Sequence, residues 1–169
     1  MREKILTFIE KNSRINLKEL AIMLGVDEAS VANEIAAMEQ ENVNCGYHTL
    51  IDWDKAGLEK VTAMIEVRVT PQRGMGFDKI AERIYNYPEV KSVYLISGGF
   101  DLMVTLEGKT LREVSQFVTD KLSTLDQVLS TKTNFILKKY KDHGTIMAAP
   151  VKSDERGIMS LWEALYPLA

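Results

Sequence analysis

Apolar residues at helical spacing mark three short segments at the start of the chain. The first is predicted over about residues 2–12, and its apolar face is Ile5, Leu6, Phe8 and Ile9. A second helix is predicted after Asn16, where Glu19 stands three places later as in a capping box. Gly25 then ends it, because a left-handed residue is favoured there. The third helix begins after Asp27. Its apolar face is Val31, Ile35 and Met38.

The spacing between the second and third helices is typical of a helix-turn-helix. Ala21 provides a small residue where the helices cross, Gly25 provides the tight turn, and Val31 anchors the second helix of the pair. An ordinary αα-hairpin has the same local pattern, so that alternative stays open from these residues alone.

From residue 61 onward the pattern changes to alternation. Residues 61–69 alternate as a half-buried strand, and further strands are predicted at 90–96, at 100–106 and at 129–137. Helices are predicted between them, one with Phe77, Ile80, Ala81 and Ile84 and one opening at Thr110. The order β-α-β-β-α-β is ferredoxin-like (ACT-like), an α/β sandwich, and the chain is therefore predicted to be α+β.

Two details of this sheet are predicted as well. Leu129, Thr131, Thr133, Phe135 and Leu137 should share one face of the last strand. The sheet face away from the helices should be apolar enough to need a cover, which a second subunit would supply.

These patterns predict four parts. They are a winged-helix-like helix-turn-helix domain at 1–46, a linker at 47–60 with a short strand at 47–52, a βαββαβ domain at 61–141 for effector binding and oligomerisation, and a tail at 142–169. Ile158, Leu161 and Leu165 in the tail have helical spacing. A helix docked on its own domain and a contact with a neighbouring subunit are both open.

Composition indicates a globular protein. Apolar residues make up 46% of the chain and charged residues 27%. We expect a soluble cytoplasmic protein without a membrane partner, because no apolar run is long enough to span a bilayer, the first residues carry charges, and Cys45 is the single cysteine. Residues 1–46 hold five basic and eight acidic side chains, an unusual balance for a DNA-binding domain.

Three stretches of the chain resemble the Lrp/AsnC family of bacterial and archaeal transcription regulators. They are GVDEASVANEIAAMEQENVNCGYHTLIDWDKAG, SGGFDLMV and VLSTKTNFILKKYK, and the resemblance covers roughly residues 2–142. It implies a homodimer built through the βαββαβ domains, often assembled into tetramers or octamers, with an amino-acid effector bound between dimers.

The resemblance places the effector at the turn formed by Gly98, Gly99, Phe100 and Asp101, with help from Thr131 and Thr133. Backbone N–H groups of a glycine turn can hold a carboxylate, and Asp101 can accept from an α-ammonium group. The alternative is that the glycines serve only the hairpin and Asp101 only caps the turn.

Double-stranded DNA is the other expected partner. We predict that phosphates are held by Lys4, Lys11, Arg14 and Lys18, and that base edges are read by Ser30 and Asn33. Family members usually carry an arginine where this chain has Glu34, and the stretch from Asp27 to Glu41 has five acidic side chains and no basic one. DNA binding should then be weak or dependent on oligomerisation. A helix-turn-helix that has lost DNA contact is the competing hypothesis.

No residue set indicates catalysis, a cofactor or a metal. EGKT at 107–110 lacks the first glycine of a phosphate-binding loop, since Met103 stands there. His48 and His143 have no ligand spacing, and Cys45 has no recognisable base. The leading hypothesis is therefore a non-enzymatic transcription regulator. A pure sensing and assembly module, and an enzyme or its regulatory subunit, are the alternatives.

Overall fold

The structure is a computed structural model, and it describes residues 1–71 and 76–148. Contacts divide the chain into two compact units, Met1–Ile51 and a second that begins at Asp52. The first unit has three helices: α1 at Arg2–Lys11, α2 at Leu17–Leu24 and α3 at Glu28–Gln40. One apolar cluster holds them together, made of the buried side chains Ile5, Leu20, Ala21, Val31 and Met38. The three predicted helices and their apolar faces are confirmed.

The second unit has four main strands and two helices. In chain order they are β1 (Val61–Val69), α4 (Asp78–Tyr85), β2 (Val90–Leu95), β3 (Leu102–Gly108), α5 (Leu111–Phe117) and β4 (Val128–Phe135). A π-helical turn at Val118–Leu122 continues α5. The antiparallel sheet has the order β2-β3-β1-β4, which confirms the predicted ferredoxin-like arrangement.

Helices α4 and α5 cover one face of this sheet. The alternation in β1 buries Ala63, Ile65, Val67 and Val69, which pack against helix residues such as Ile84. Because side chains alternate between faces, Met64, Glu66 and Arg68 lie on the other face.

This second face is more polar than we predicted. Glu66 accepts hydrogen bonds there from Lys132 Nζ at 3.2 Å and Asn134 Nδ2 at 3.0 Å. Its apolar part includes Met64 and Tyr94, which are both exposed. The prediction of an apolar face was wrong because the alternating positions of β4 on this side carry polar residues.

The last strand also departs from its predicted pattern. The pairing of β1 with β4 shifts between Arg68 and Val69, whose partners are Ser130 and Val128. This shift leaves Leu129 out of the ladder and 68% exposed. Leu137 lies beyond the end of the strand and is 94% exposed. Leu129 and Leu137 therefore do not share a buried face with Phe135.

The linker and tail differ from prediction as well. Residues 47–52 form no strand, because no strand of the described chain pairs with them. The predicted tail boundary at 142 cuts a hairpin made of β5 (Lys141–Asp142) and β6 (Thr145–Ile146). Ile158, Leu161 and Leu165 lie outside the described residues.

Candidate functional site

Local capping groups define the α2–α3 pair. Asn16 Oδ1 accepts the Glu19 N–H at 2.8 Å, and Asp27 Oδ1 accepts the Ser30 N–H at 2.8 Å, so both predicted N-caps are confirmed. Gly25, between the helices, has φ +68°, the left-handed conformation that glycine adopts most readily. We call this pair, together with α1, the helical head.

Asn16→Ala should destabilise the helical head by about 1 kcal/mol, because the Glu19 N–H loses its acceptor at the start of α2. Urea unfolding followed by circular dichroism measures the change. Asn33→Ala is the matched control, since Asn33 is exposed within α3 and makes no side-chain hydrogen bond in the described chain. Equal losses for the two variants would contradict the capping role.

The four predicted phosphate-binding residues are all accessible. Lys4, Lys11, Arg14 and Lys18 are exposed, and none of them forms an ion pair with a residue in 1–71 or 76–148. Their cationic groups are therefore not committed to an acidic side chain of the described chain.

The two predicted base readers differ from each other. Asn33 is exposed and keeps both amide donors and its acceptor. The Ser30 hydroxyl donates to Asp27 Oδ2 at 2.5 Å, so its single proton already serves the cap. Ser30 can offer DNA only an acceptor unless this bond breaks.

Arg2 contacts two acidic side chains on and just after α3, and the sequence did not indicate these contacts. Its Nε donates to Glu34, and its Nη1 and Nη2 donate to the two carboxylate oxygens of Glu41 at 2.5 and 3.0 Å. The hydrogen bond from Arg2 lowers the pKa of Glu41 below its ordinary value. One guanidinium therefore compensates two of the acidic side chains on and just after α3.

Two more of the five acidic groups have partners. Asp27 accepts both bonds from Ser30, which lower its pKa, and Glu39 accepts from the Tyr47 hydroxyl at 2.7 Å. Ser30 and Tyr47 are neutral donors, so Asp27 and Glu39 keep their negative charge. Only the single positive charge of Arg2 offsets the acidic side chains of this stretch.

In the second unit, the turn after β2 is joined to the end of β1. The Asp101 N–H donates to the Val67 carbonyl at 3.1 Å, and Asp101 Oδ2 accepts the Val69 N–H at 2.9 Å. Arg68 Nε donates to the Gly99 carbonyl at 3.0 Å. These bonds hold the turn at one end of the sheet. They also show that one Asp101 oxygen serves the hairpin, as the alternative interpretation required.

The glycines of this turn are not required by its backbone. Neither Gly98 nor Gly99 has a left-handed φ. A Cβ added at Gly99 would meet nothing within 4 Å, and one at Gly98 would meet only Ile96 Cγ2, at 3.6 Å. Open space therefore lies over the turn in the chain by itself.

The two threonines lie on the neighbouring strand. Thr131 pairs with Val67, whose carbonyl accepts from Asp101, and Thr133 pairs with Ile65, two residues further from the turn. Both are on the helix-covered side of the sheet, and Thr131 Oγ1 lies 3.4 Å from Ser123 Oγ. Thr131 is thus joined to the turn through β1, and Thr133 is more distant along the strand.

The described ranges carry neither a metal-ligand cluster nor a membrane-spanning helix. No group of three or more His, Cys, Asp or Glu side chains there could hold a metal ion. None of the described helices has the length and hydropathy needed to cross a bilayer.

Comparison with known proteins then identifies the family. The model of the Lrp/AsnC ligand binding domain matches residues 62–146. An uncharacterized HTH-type transcriptional regulator of Bacillus subtilis, YugG, is 51% identical over 144 residues, covering 85% of this chain and 87% of the relative. The chain belongs to the Lrp/AsnC family. The resemblance noted in the sequence is thereby confirmed.

Further relatives agree with this Lrp/AsnC assignment. The proline dehydrogenase transcriptional activator of Rhodobacter capsulatus is 32% identical, covering 77% of this chain and 84% of the relative. Solved structures share the fold. A transcriptional regulator of Neisseria meningitidis in complex with L-Met has a TM-score of 0.67 at 21% identity, covering 89% of this chain and 95% of its own. AsnC of E. coli has a TM-score of 0.62 at 19% identity, covering 82% and 91%.

Proposed function

We propose that this Lrp/AsnC protein is a cytoplasmic, non-enzymatic transcription regulator that binds double-stranded DNA through its helical head and senses an amino acid through its second unit. The observation that carries the proposal is the capped α2–α3 pair, together with exposed basic side chains of the helical head that form no ion pair within the described chain. A helix-turn-helix places its second helix in the major groove and uses flanking groups on phosphates.

The basic and the polar residues of the helical head have different roles in this proposal. Lys4, Lys11, Arg14 and Lys18 contact phosphates, which supply affinity without sequence preference. Asn33, exposed on α3, reads a base edge, and adenine is the base whose donor and acceptor match an amide. Ser30 contributes as an acceptor while it caps α3.

The proposed effector site is the turn Gly98, Gly99, Phe100 and Asp101. Support comes from the open space over Gly99 and from Asp101, whose second carboxylate oxygen is not used in the bond to Val69. That oxygen can accept from an α-ammonium group, while exposed turn N–H groups can donate to a carboxylate. Thr131 contributes through its place beside β1. Thr133 lies further from the turn, so it would contribute to the effector site only through contacts with the ligand or with a partner subunit.

A homodimer, with further assembly to a tetramer or octamer, belongs to the same proposal. The sheet face that carries Met64, Tyr94 and the Glu66–Lys132 pair is not covered by a helix of the described chain. Size-exclusion chromatography with light scattering tests this. A chain that stays single at every concentration would contradict it.

Fluorescence anisotropy with the upstream region of its own gene tests DNA binding. We expect binding that weakens with salt, and we expect an amino acid to change the affinity. Titration of the twenty amino acids against the same complex identifies the effector. Effector binding and assembly without any DNA affinity would instead support the competing function, a sensing module. The Ser30 hydroxyl favours that function, because its proton is already donated to Asp27.

Gly99→Ala separates the effector role of the turn from its structural role. The added methyl group meets nothing within 4 Å and the backbone is not left-handed, so stability should stay within about 0.5 kcal/mol of the parent. A ligand seated over the turn would meet this methyl group, so the response to the amino acid should fall about tenfold or more. Thermal unfolding with and without amino acid measures both quantities. Gly57→Ala is the contrast, because Gly57 has φ +73° and should lose stability without losing the response.

A further inference from the structure

A cavity of about 280 Å³ opens at the other end of β3 from the turn. The turn precedes Leu102 and Gly108 is among the residues that line the cavity, so at 3.4 Å per residue the turn and Gly108 lie roughly 20 Å apart along the strand. Its walls come from Glu89 just before β2, from the end of β3, from α5 and from the π-helical turn that follows α5. It is therefore separate from the proposed effector site.

The floor of the cavity is apolar. Leu106, Val114 and Phe117 line it, and each is at most 5% exposed. These side chains belong to the core of the sheet and its helices, so the floor is rigid. A floor of this kind accepts a small branched or linear aliphatic group.

A carboxylate with one unused oxygen stands in the wall. Glu89 Oε1 accepts from Lys121 Nζ at 2.5 Å, and Glu89 Oε2 is buried with no donor from the described chain. Lys121 lowers the pKa of Glu89, so the group is ionised near neutral pH. An ionised oxygen that is buried without a donor is unfavourable, and a ligand N–H group would relieve it.

Two of the three other acidic groups of the wall, Glu107 and Glu113, have partners within the described chain. Glu113 Oε2 accepts the Lys109 N–H at 2.8 Å. Glu107 lies 3.7 Å from Lys60 Nζ and 3.9 Å from Lys91 Nζ. Asp120 also lines the cavity, but it is exposed to water, so Glu89 Oε2 is the buried carboxylate oxygen of the wall that lacks a donor. Lys121 Nζ, held 5.4 Å from the ring centroids of Tyr87 and Phe117, keeps donors that a ligand carboxylate could use.

We propose that this cavity is a second small-molecule site, specific for a primary ammonium group on a small aliphatic body, with Glu89 as the ammonium acceptor. An aliphatic amino acid and a simple aliphatic amine share this chemistry. In the amino acid, the carboxylate would contact Lys121. The site is independent of the turn, so this inference goes beyond the proposed function.

Three probes of one shape test the ligand class: L-leucine, isoamylamine and 4-methylpentanoate, each at millimolar concentration on the full chain. ¹H–¹⁵N spectra report binding through the backbone amides of Gly108, Val114 and Phe117. We expect shifts with isoamylamine, which has the ammonium group alone, and none with 4-methylpentanoate, which lacks it. Leucine shifting these amides more than isoamylamine would identify an amino-acid site. Equal or weaker shifts would identify an amine site.

Variants locate the binding. Glu89→Gln should weaken binding at least tenfold, because a charge-assisted bond becomes a neutral one. Gln116→Trp, at an exposed position on the cavity rim, should block entry even if the Glu89 variant fails to fold. Glu82→Gln, the same chemical change on exposed α4, should leave binding unchanged.

The turn serves as the second control. Asp101→Ala should leave the cavity shifts intact, whether or not it abolishes the response of DNA binding to an amino acid. Loss of the shifts in Asp101→Ala, binding that survives both Glu89→Gln and Gln116→Trp, or shifts with 4-methylpentanoate alone would each overturn the second site. None of these results would bear on whether the helical head binds DNA.

Discussion

Raising the salt concentration from 50 to 200 mM should weaken DNA binding by roughly 10⁴-fold if a dimer places its two sets of Lys4, Lys11, Arg14 and Lys18 on phosphates. The estimate follows from counterion release, in which the logarithm of the affinity falls by about 0.9 per contact for each tenfold rise in salt. Eight contacts then give a slope near −7 on a double-logarithmic plot. A single helical head with four contacts should show about half that slope and lose only roughly 10²-fold.

Replacing Lys11 and Arg14 by glutamine in every subunit should reduce this slope by about 4 for a dimer, since four phosphate contacts disappear. Anisotropy titrations at several salt concentrations provide the slope directly. Lys79→Gln with Lys109→Gln is the matched control, because both residues are exposed in the second unit and the net charge changes equally. An identical decrease in both variants would mean that overall charge, and not the helical head, governs binding. An unchanged slope would exclude these residues from the DNA contact.

The parts of the fold that sequence predicted well depend on short-range information. The Asn16 and Asp27 caps each use a hydrogen bond to a backbone N–H three residues away, so spacing reveals them. Gly25 marks the turn between α2 and α3 for the same local reason. The alternation of Ala63, Ile65 and Val67 predicted both β1 and its buried face because one side of an antiparallel sheet is covered.

Features that depend on pairing between distant segments escaped prediction. Arg2 contacts Glu34 and Glu41 across 32 and 39 residues, and nothing in the sequence near Arg2 indicates this partner set. The register shift that exposes Leu129 arises between β1 and β4, so the alternation within β4 alone could not reveal it. The predicted strand at 47–52 failed for a related reason: strand-forming residues still need a partner to hydrogen-bond.

The cavity shows the same limit. Thr110 was predicted only to open a helix, and Thr110 Oγ1 does accept the Glu113 N–H at 3.1 Å at the start of α5. The Glu113 carboxylate, however, accepts from the Lys109 N–H. Glu89 and Lys121 come together from separate elements, and neither carries a local signal. Short-range motifs thus identify the helix start, while the site beside it depends on the tertiary fold.

Arg2→Ala should weaken DNA binding about tenfold at 0.1 M salt, although Arg2 is not a predicted phosphate contact. Without its guanidinium, Glu34 and Glu41 lose their shared counter-cation. Two unpaired carboxylates on and just after α3 would then face the DNA backbone within about one Debye length, roughly 10 Å at this salt concentration. Arg2→Lys should recover only part of the affinity, because an ammonium group cannot bond both carboxylates as a planar guanidinium does.

The double variant Arg2→Ala with Glu41→Gln distinguishes charge compensation from direct phosphate contact. If Arg2 acts through the acidic pair, removing the Glu41 charge should restore most of the lost affinity, whereas a phosphate contact would stay lost. Because Arg2 lowers the pKa of Glu41, the carboxylate titrates only below its ordinary range, and affinity should be flat with respect to this pair from pH 6 to pH 8. Only acidification well below neutrality should protonate Glu41 and reduce its repulsion of DNA in the single variant. If Glu41→Gln does not restore the affinity of Arg2→Ala, Arg2 contacts the phosphate backbone directly. Compensation by Arg2 would then not explain how the acidic α3 binds DNA.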